Sequence, residues 1–82
     1  MRKNELINKL KEHIDKTAGQ KNTQITAYAM YFIFKQYAVN IEGRKSYIPI
    51  LIEIKKYLSS EFEWSMIEVH DCFCKLGRLL KY

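Results

Sequence analysis

The stretch Ile25 to Val39, ITAYAMYFIFKQYAV, decides the fold expected of this chain. It packs five aromatic rings into one helix-length segment: Tyr28, Tyr31, Phe32, Phe34 and Tyr37. On a helix of about 3.6 residues per turn, these rings point in nearly every direction. A helix that is apolar on all sides must be surrounded, either by its own chain or by a partner. The sequence therefore predicts that this segment lies at the centre of the molecule, contacted by the other elements.

Length and composition fit a single domain over residues 1–82. The chain has 48% hydrophobic and 28% charged residues, which is typical of a globular protein and not of a disordered one. Its longest apolar run, Ala27 to Phe34, is far shorter than the roughly 20 residues that cross a bilayer. No apolar signal segment follows Met1. We therefore expect a cytoplasmic protein with reduced cysteines and no membrane partner.

One-sided apolar stripes predict the first and last helices. The first segment repeats apolar residues at helical spacing among charged and amide side chains: Leu6, Ile7, Leu10 and Ile14. Gly19 is suited to cap its end, and Asn22 or Thr23 to begin the next helix. The last segment opens on a capping box formed by Ser65 and Glu68, before an apolar seam over two heptads.

The third segment is ambiguous. Its isoleucines alternate at period two, which is typical of a strand, but Tyr47, Leu51, Ile54 and Leu58 also recur at helical spacing. Pro49 is tolerated in the first turn of a helix, and Ser46 is a suitable N-cap. We expect a helix here, followed by a short connection over 59–64. The resulting prediction is all-α: a compact bundle of about four helices, at approximately 2–17, 23–39, 47–58 and 66–80.

The net charge of +5 comes from 14 basic residues against nine acidic ones. A basic surplus suits nucleic acid, an acidic protein surface or an anionic membrane. No helix shows the polar, basic face with which a recognition helix reads base edges. Any nucleic-acid contact is therefore expected to be dominated by phosphates. The candidate contact residues are Lys9, Lys16, Arg44, Lys45, Lys55 and Lys56.

Aromatic residues supply the second group of candidate contacts. Phe62 and Trp64 flank Glu63 in an otherwise polar connection. They are interpreted in two ways: as a staple that fixes the last helix to the core, or as a projecting anchor that fills a pocket of a partner.

Metal binding and catalysis find little support. In His70-x-Cys72-x-Cys74, the two cysteines face opposite sides of a helix, which leaves His70 and Cys74 on one face. A site with His13 is conceivable if the first and last helices are adjacent, but buried cysteines beside a half-exposed histidine are favoured. Nothing supplies an oxyanion hole or a phosphate loop. We therefore expect no catalytic residue, no metal and no cofactor.

These patterns favour a small non-enzymatic protein that acts by stoichiometric association with a protein of a nucleic-acid-handling machine. Its contacts would come from the basic first helix, Arg44 and Lys45, and exposed aromatics. The abundance of Lys, Asn, Ile and Tyr in so small a domain is associated with an AT-rich genome, a phage or a mobile element, and an inhibitor or adaptor of the phage or mobile-element type is the hypothesis. Direct, weakly sequence-specific binding of DNA or RNA is the alternative, and a homodimer is possible.

Overall fold

The computed structural model describes the backbone of residues 3–37 and 44–81, and the side chains of 3–37 and 47–81. This part of the chain forms four α-helices and contains no strand, so the all-α prediction is confirmed. The helices, in chain order, are α1 (Lys3–Ala18), α2 (Thr23–Gln36), α3 (Arg44–Phe62) and α4 (Met66–Leu80). Residues 38 and 39 of the predicted second helix lie outside the described part. No described helix has both the length and the apolar character that a bilayer span needs.

The four helices form a ring in which each one contacts two neighbours. α1 packs against α2 and α3, and α4 packs against the same two helices from the other side. The backbones of α2 and α3 do not approach within 8 Å in the described part, and neither do those of α1 and α4. The prediction that α2 is enclosed by three neighbours is therefore wrong.

Only one side of α2 contributes to the core. Ala27, Met30 and Phe34 are buried against side chains such as Leu10 and Leu76 of the neighbouring helices. On the opposite side of α2, no helix of the described part covers the side chains. Although α2 is apolar on all sides, one side is buried in the core and the opposite side is exposed to solvent.

The junction between α1 and α2 differs in detail from the sequence prediction. The residue in left-handed backbone is Lys21, with φ 54°, whereas the described glycines have no positive φ. Gly19 directly follows α1, as expected of a cap, but its backbone does not take the left-handed conformation that often ends a helix at glycine. Asn22 caps α2 as predicted, because its side chain accepts a hydrogen bond of 2.9 Å from the Ile25 backbone N–H.

The bounds of α3 are wider than predicted. The helix begins at Arg44, so Pro49 lies beyond the first turn and Ser46 is inside the helix, not its N-cap. It also continues to Phe62, which reduces the predicted connection 59–64 to residues 63–65. Glu63 then adopts φ 57° and the Trp64 N–H bonds the Leu58 carbonyl at 3.1 Å, which ends the helix in a tight turn.

The start of α4 confirms the capping box. The Ser65 hydroxyl accepts the Glu68 N–H at 3.2 Å, and the Ser65 N–H donates to the Glu68 carboxylate at 2.9 Å. Two free backbone donors of the helix end are therefore satisfied. The hydrogen bond from the Ser65 backbone also holds the pKa of Glu68 below its usual value.

Candidate functional site

The outer face of α2 is an apolar surface that the described part of the bundle leaves open. Ile25, Tyr28 and Phe32 are 48%, 51% and 56% exposed. Their spacing of three and four residues puts them on one side of the helix, opposite the buried stripe. Three large apolar side chains in one exposed row are unusual on a monomer and are typical of a contact surface. We call this row the outer face of α2.

Neighbouring helices extend this face on both sides. The His13 ring of α1 stacks on the Phe32 ring, with centroids 5.5 Å apart and planes inclined by 15°. On the other side, Tyr28 lines a groove of about 350 Å³ together with Lys75 and Arg78 of α4. The face is therefore wider than one helix and includes a concave part.

The charge around the outer face of α2 is positive. α2 itself contains no acidic residue between Thr23 and Gln36. Lys35 lies beside it, with its ammonium 5.7 Å from the centre of the Tyr31 ring, and Arg78 borders the groove on α4. Such an arrangement attracts acidic side chains or phosphates and repels basic surfaces.

A polar cluster joins the start of α2 to α4. The Thr23 hydroxyl donates to the Asp71 carboxylate. The Lys75 ammonium donates to the same carboxylate at 2.9 Å and to the Thr23 oxygen at 3.0 Å. The Thr23 hydrogen bond, reinforced by the one from Lys75, lowers the pKa of Asp71. Lys75, which lines the groove beside Tyr28, is therefore held in place by Thr23 and Asp71.

The predicted basic contacts do not converge. Lys9 lies 4.0 Å from Glu12 on α1, and Lys56 lies 3.6 Å from Glu53 on α3, so acids offset both charges. Lys16 is exposed on α1, whereas Lys55 borders a groove between α3 and α4. The side chains of Arg44 and Lys45 lie outside the described residues. The four described lysines thus lie on two helices, α1 and α3, and two of them are beside acids.

The predicted aromatic contacts belong to the interior of the junction between α3 and α4. Trp64 is only 4% exposed, and its indole N–H donates to the Ala18 carbonyl at 2.8 Å. Phe62 is half-buried and meets the Tyr57 ring edge-on, with centroids 5.6 Å apart. Trp64 does not project, so of the two interpretations its position matches the staple.

The two cysteines have opposite environments. Cys72 is buried, and this burial raises the pKa of its thiol to about 12. Cys74 is exposed, contrary to the expectation that both are buried, and its sulfur lies 3.6 Å from Nε2 of His70. His13 is on α1, which does not contact α4 in the described part, so the His13–His70–Cys74 arrangement is not formed. No three or more His, Cys, Asp and Glu residues form a possible metal site among the described residues.

Comparison of the chain with protein-family models, with curated proteins and with solved structures finds no significant match. The outer face of α2 therefore has to be interpreted from its own chemistry. The sequence placed α2 at the centre of the molecule because it is apolar on all sides, and left open whether its rings are covered by the chain itself or by a partner. The signal that marks the face is the row Ile25, Tyr28 and Phe32 at helical spacing, which forms a second stripe opposite the first.

Proposed function

We propose that this protein is a small non-enzymatic binding module that associates stoichiometrically with a protein partner through the outer face of α2. The observation that carries the proposal is the row of three half-exposed apolar side chains, Ile25, Tyr28 and Phe32, on a helix without acidic residues. Aromatic side chains bring large contact area with few rotatable bonds, which makes them frequent energetic centres of interfaces.

The surroundings of this face define the chemistry of the partner. Lys35 and Arg78 lie at its borders, whereas the charge of Lys75 in the groove beside Tyr28 is offset by Asp71. A complementary surface has an apolar centre and a rim of aspartate or glutamate side chains. An amphipathic helix with acidic flanks meets both requirements, because its apolar side can lie along the row while its carboxylates reach the basic border.

We place this partner, as part of the proposal, in nucleic-acid-handling machinery of the cytoplasm. The support is the net charge of +5, which allows the chain to approach a protein bound to a polyanion without repulsion. The role that follows is that of an inhibitor or adaptor: binding occupies a surface of the partner and involves no chemical step.

The test compares two matched pairs of exposed apolar residues. The double variant Tyr28→Gln/Phe32→Gln changes the outer face of α2, and Ile48→Gln/Ile52→Gln changes two isoleucines of α3 that are 44% and 47% exposed. A photo-crosslinking amino acid at position 25 first identifies the partner in host extract. Calorimetry with the purified partner then measures the affinity of each variant.

We expect the α2 double variant to bind at least about 30-fold more weakly, the loss typical of two central interface residues. The α3 double variant is expected to bind like the unmodified chain. Loss of binding in the α3 variant alone would overturn the assignment of the interface to α2.

Direct nucleic-acid binding is the competing outcome. Tyr28 and Phe32 beside Lys35 are also the residue types that hold unpaired bases. Retardation of random single-stranded or duplex DNA at about 50 mM salt, lost in the α2 double variant, would assign the same face to nucleic acid instead. No retardation at this salt concentration supports the protein partner.

A further inference from the structure

The groove between α2 and α4 combines apolar and basic side chains. Ala27 and Tyr28 line it from α2 and Leu79 lines it from α4, so part of its wall is apolar. Lys75 and Arg78 of α4 add two cations to the same groove of about 350 Å³. Sites that hold one defined group of a ligand commonly combine an apolar lining with a few polar groups in this way.

The two cations differ in their surroundings. The Lys75 ammonium lies 2.9 Å from the Asp71 carboxylate, which offsets its charge. Within residues 3–37 and 47–81, no carboxylate forms a salt bridge with Arg78, whose side chain is exposed. Arg78 makes the smallest of the contributions that lower the pKa of Asp71, as expected of a cation beyond salt-bridge distance. Together, Asp71, Lys75 and Arg78 leave one positive charge in excess beside the groove.

The Arg78 guanidinium favours a flat anion of matching charge. Its N–H groups form a planar fork that donates two parallel hydrogen bonds to one carboxylate or phosphate. A carboxylate has a single negative charge at neutral pH, whereas a phosphate monoester has about 1.5 to 2. One excess positive charge balances the carboxylate but leaves part of the phosphate charge uncompensated beside apolar side chains, which is unfavourable. The groove therefore favours a carboxylate.

The position of Tyr28 indicates how the carboxylate is presented. Tyr28 is the middle member of the row Ile25, Tyr28 and Phe32, so the groove lies beside the row and not at its end. A helix that lies along the row brings the side chains of its flank over the groove. A C-terminal carboxylate of such a helix would lie near an end of the row. The position beside Tyr28 therefore favours an aspartate or glutamate side chain on the flank of the helix.

We propose that the groove between α2 and α4 binds one aspartate or glutamate side chain of the partner helix, and that Arg78 is the residue that selects this carboxylate. The inference rests on the proposed function, because it takes the partner to be a helix on the outer face of α2. It adds a defined ligand group and a specificity-determining residue outside the apolar row. The row supplies most of the affinity, and Arg78 supplies selectivity.

The first experiment needs no partner. The probe is 3-phenylpropionate, in which a short methylene chain joins a ring to a carboxylate, and its matched control is the uncharged 3-phenylpropanamide. NMR titration of the full chain measures the affinity of each compound from the signals of Tyr28, Arg78 and Leu79. We expect millimolar affinity for the acid, as for a fragment of about 11 non-hydrogen atoms, and about fivefold weaker binding of the amide.

Two matched variants locate the carboxylate. Arg78→Gln and Lys16→Gln each remove one positive charge from an exposed side chain, the first in the groove and the second on α1. Arg78→Gln should weaken the binding of 3-phenylpropionate by about fivefold, whereas Lys16→Gln should change it by less than about twofold. Equal affinities of the acid and the amide, or of the unmodified chain and Arg78→Gln, would overturn the proposal.

A change at Asp71 tests the charge argument. Asp71→Asn retains an oxygen that accepts hydrogen bonds from Thr23 and Lys75 but no longer offsets the Lys75 charge. The groove then has two positive charges in excess. The ratio of affinities should therefore shift from 3-phenylpropionate towards phenyl phosphate by at least about threefold. An unchanged ratio would overturn the assignment of the groove to a carboxylate.

The partner identified by crosslinking at position 25 separates this inference from the proposed function. Arg78→Gln should weaken partner binding by about fivefold, and replacing one acidic side chain of the partner by its amide should cause the same loss. The two changes together should add little, because they remove the same contact. If Tyr28→Gln/Phe32→Gln loses binding and Arg78→Gln does not, the inference is wrong and the proposed function stands. If both variants bind like the unmodified chain, both are wrong.

Discussion

Two regions of this bundle are both rich in aromatic residues, but their aromatic side chains differ in solvent exposure. Trp64, at the junction of α3 and α4, is 4% exposed and donates to the Ala18 carbonyl. Tyr28 and Phe32, on the outer face of α2, are 51% and 56% exposed. The difference arises from neighbours: the end of α1 meets the junction, whereas no described helix lies beyond α2. Aromatic residues therefore mark either a staple or a binding surface, and only the surrounding elements decide which.

The largest loss of folding stability is expected at the junction of α3 and α4. Trp64→Ala removes a buried indole and leaves the Ala18 carbonyl unpaired, at a cost of about 3–5 kcal/mol. A domain of this size has roughly 3–5 kcal/mol of total stability, so the variant should be largely unfolded. Circular dichroism and urea unfolding check this. A variant with the helicity and midpoint of the unmodified chain would show that the junction is a contact surface after all.

The sequence predicted the elements whose apolar residues form a single stripe. The stripe of α1 and the capping box of α4 each depend on local spacing, so both helices lie within one residue of their predicted bounds. The predicted range of α3, 47–58, falls short of Arg44–Phe62 at both ends, because neither Pro49 nor Ser59 interrupts the helix. A helix tolerates both when the residues around them remain packed.

The role of each aromatic could not be predicted in the same way. Burial of Trp64 depends on a contact with Ala18, 46 positions earlier in the chain, which no local pattern records. Exposure of Phe32 depends on α2 having two neighbours in the described bundle instead of three. Both facts follow from the arrangement of the four helices in the bundle, in which each helix contacts two others. The basic residues were predicted as contacts from charge alone, and pairs such as Lys9–Glu12 show why charge is insufficient.

An intermediate effect is expected for the residue that follows Trp64. Ser65→Ala removes the hydroxyl that accepts the Glu68 N–H, which should cost about 1 kcal/mol. Urea unfolding followed by circular dichroism measures it. Ser59→Ala, at an exposed position inside α3, is the control and should change the free energy of unfolding by less than about 0.5 kcal/mol. Equal effects of the two changes would contradict the role of the cap.

A smaller effect should appear as a dependence of stability on pH. The pKa of Asp71 is lowered in the folded chain, mainly by the Thr23 hydrogen bond. The corresponding stabilisation is present above the ordinary carboxyl pKa and is lost as the pH falls through that value towards the lower, folded one. Because the carboxylate is half-exposed, solvent screening keeps this effect below that of the cap. Unfolding free energies measured at several acidic pH values should fall less steeply in Asp71→Asn, and an identical slope would contradict the linkage.

The smallest effect on stability is expected where the effect on binding is largest. Tyr28→Gln replaces a half-exposed ring that contributes little to the core, and glutamine is at least as good a helix former. The free energy of unfolding should therefore change by no more than about 0.5 kcal/mol, as for other surface substitutions. Urea unfolding of Tyr28→Gln beside Trp64→Ala measures the contrast directly. A loss of more than about 2 kcal/mol would show that the Tyr28 ring is part of the core, like Trp64. The Tyr28 ring would then be needed for folding, and its partial exposure would no longer support a partner-binding surface on the outer face of α2.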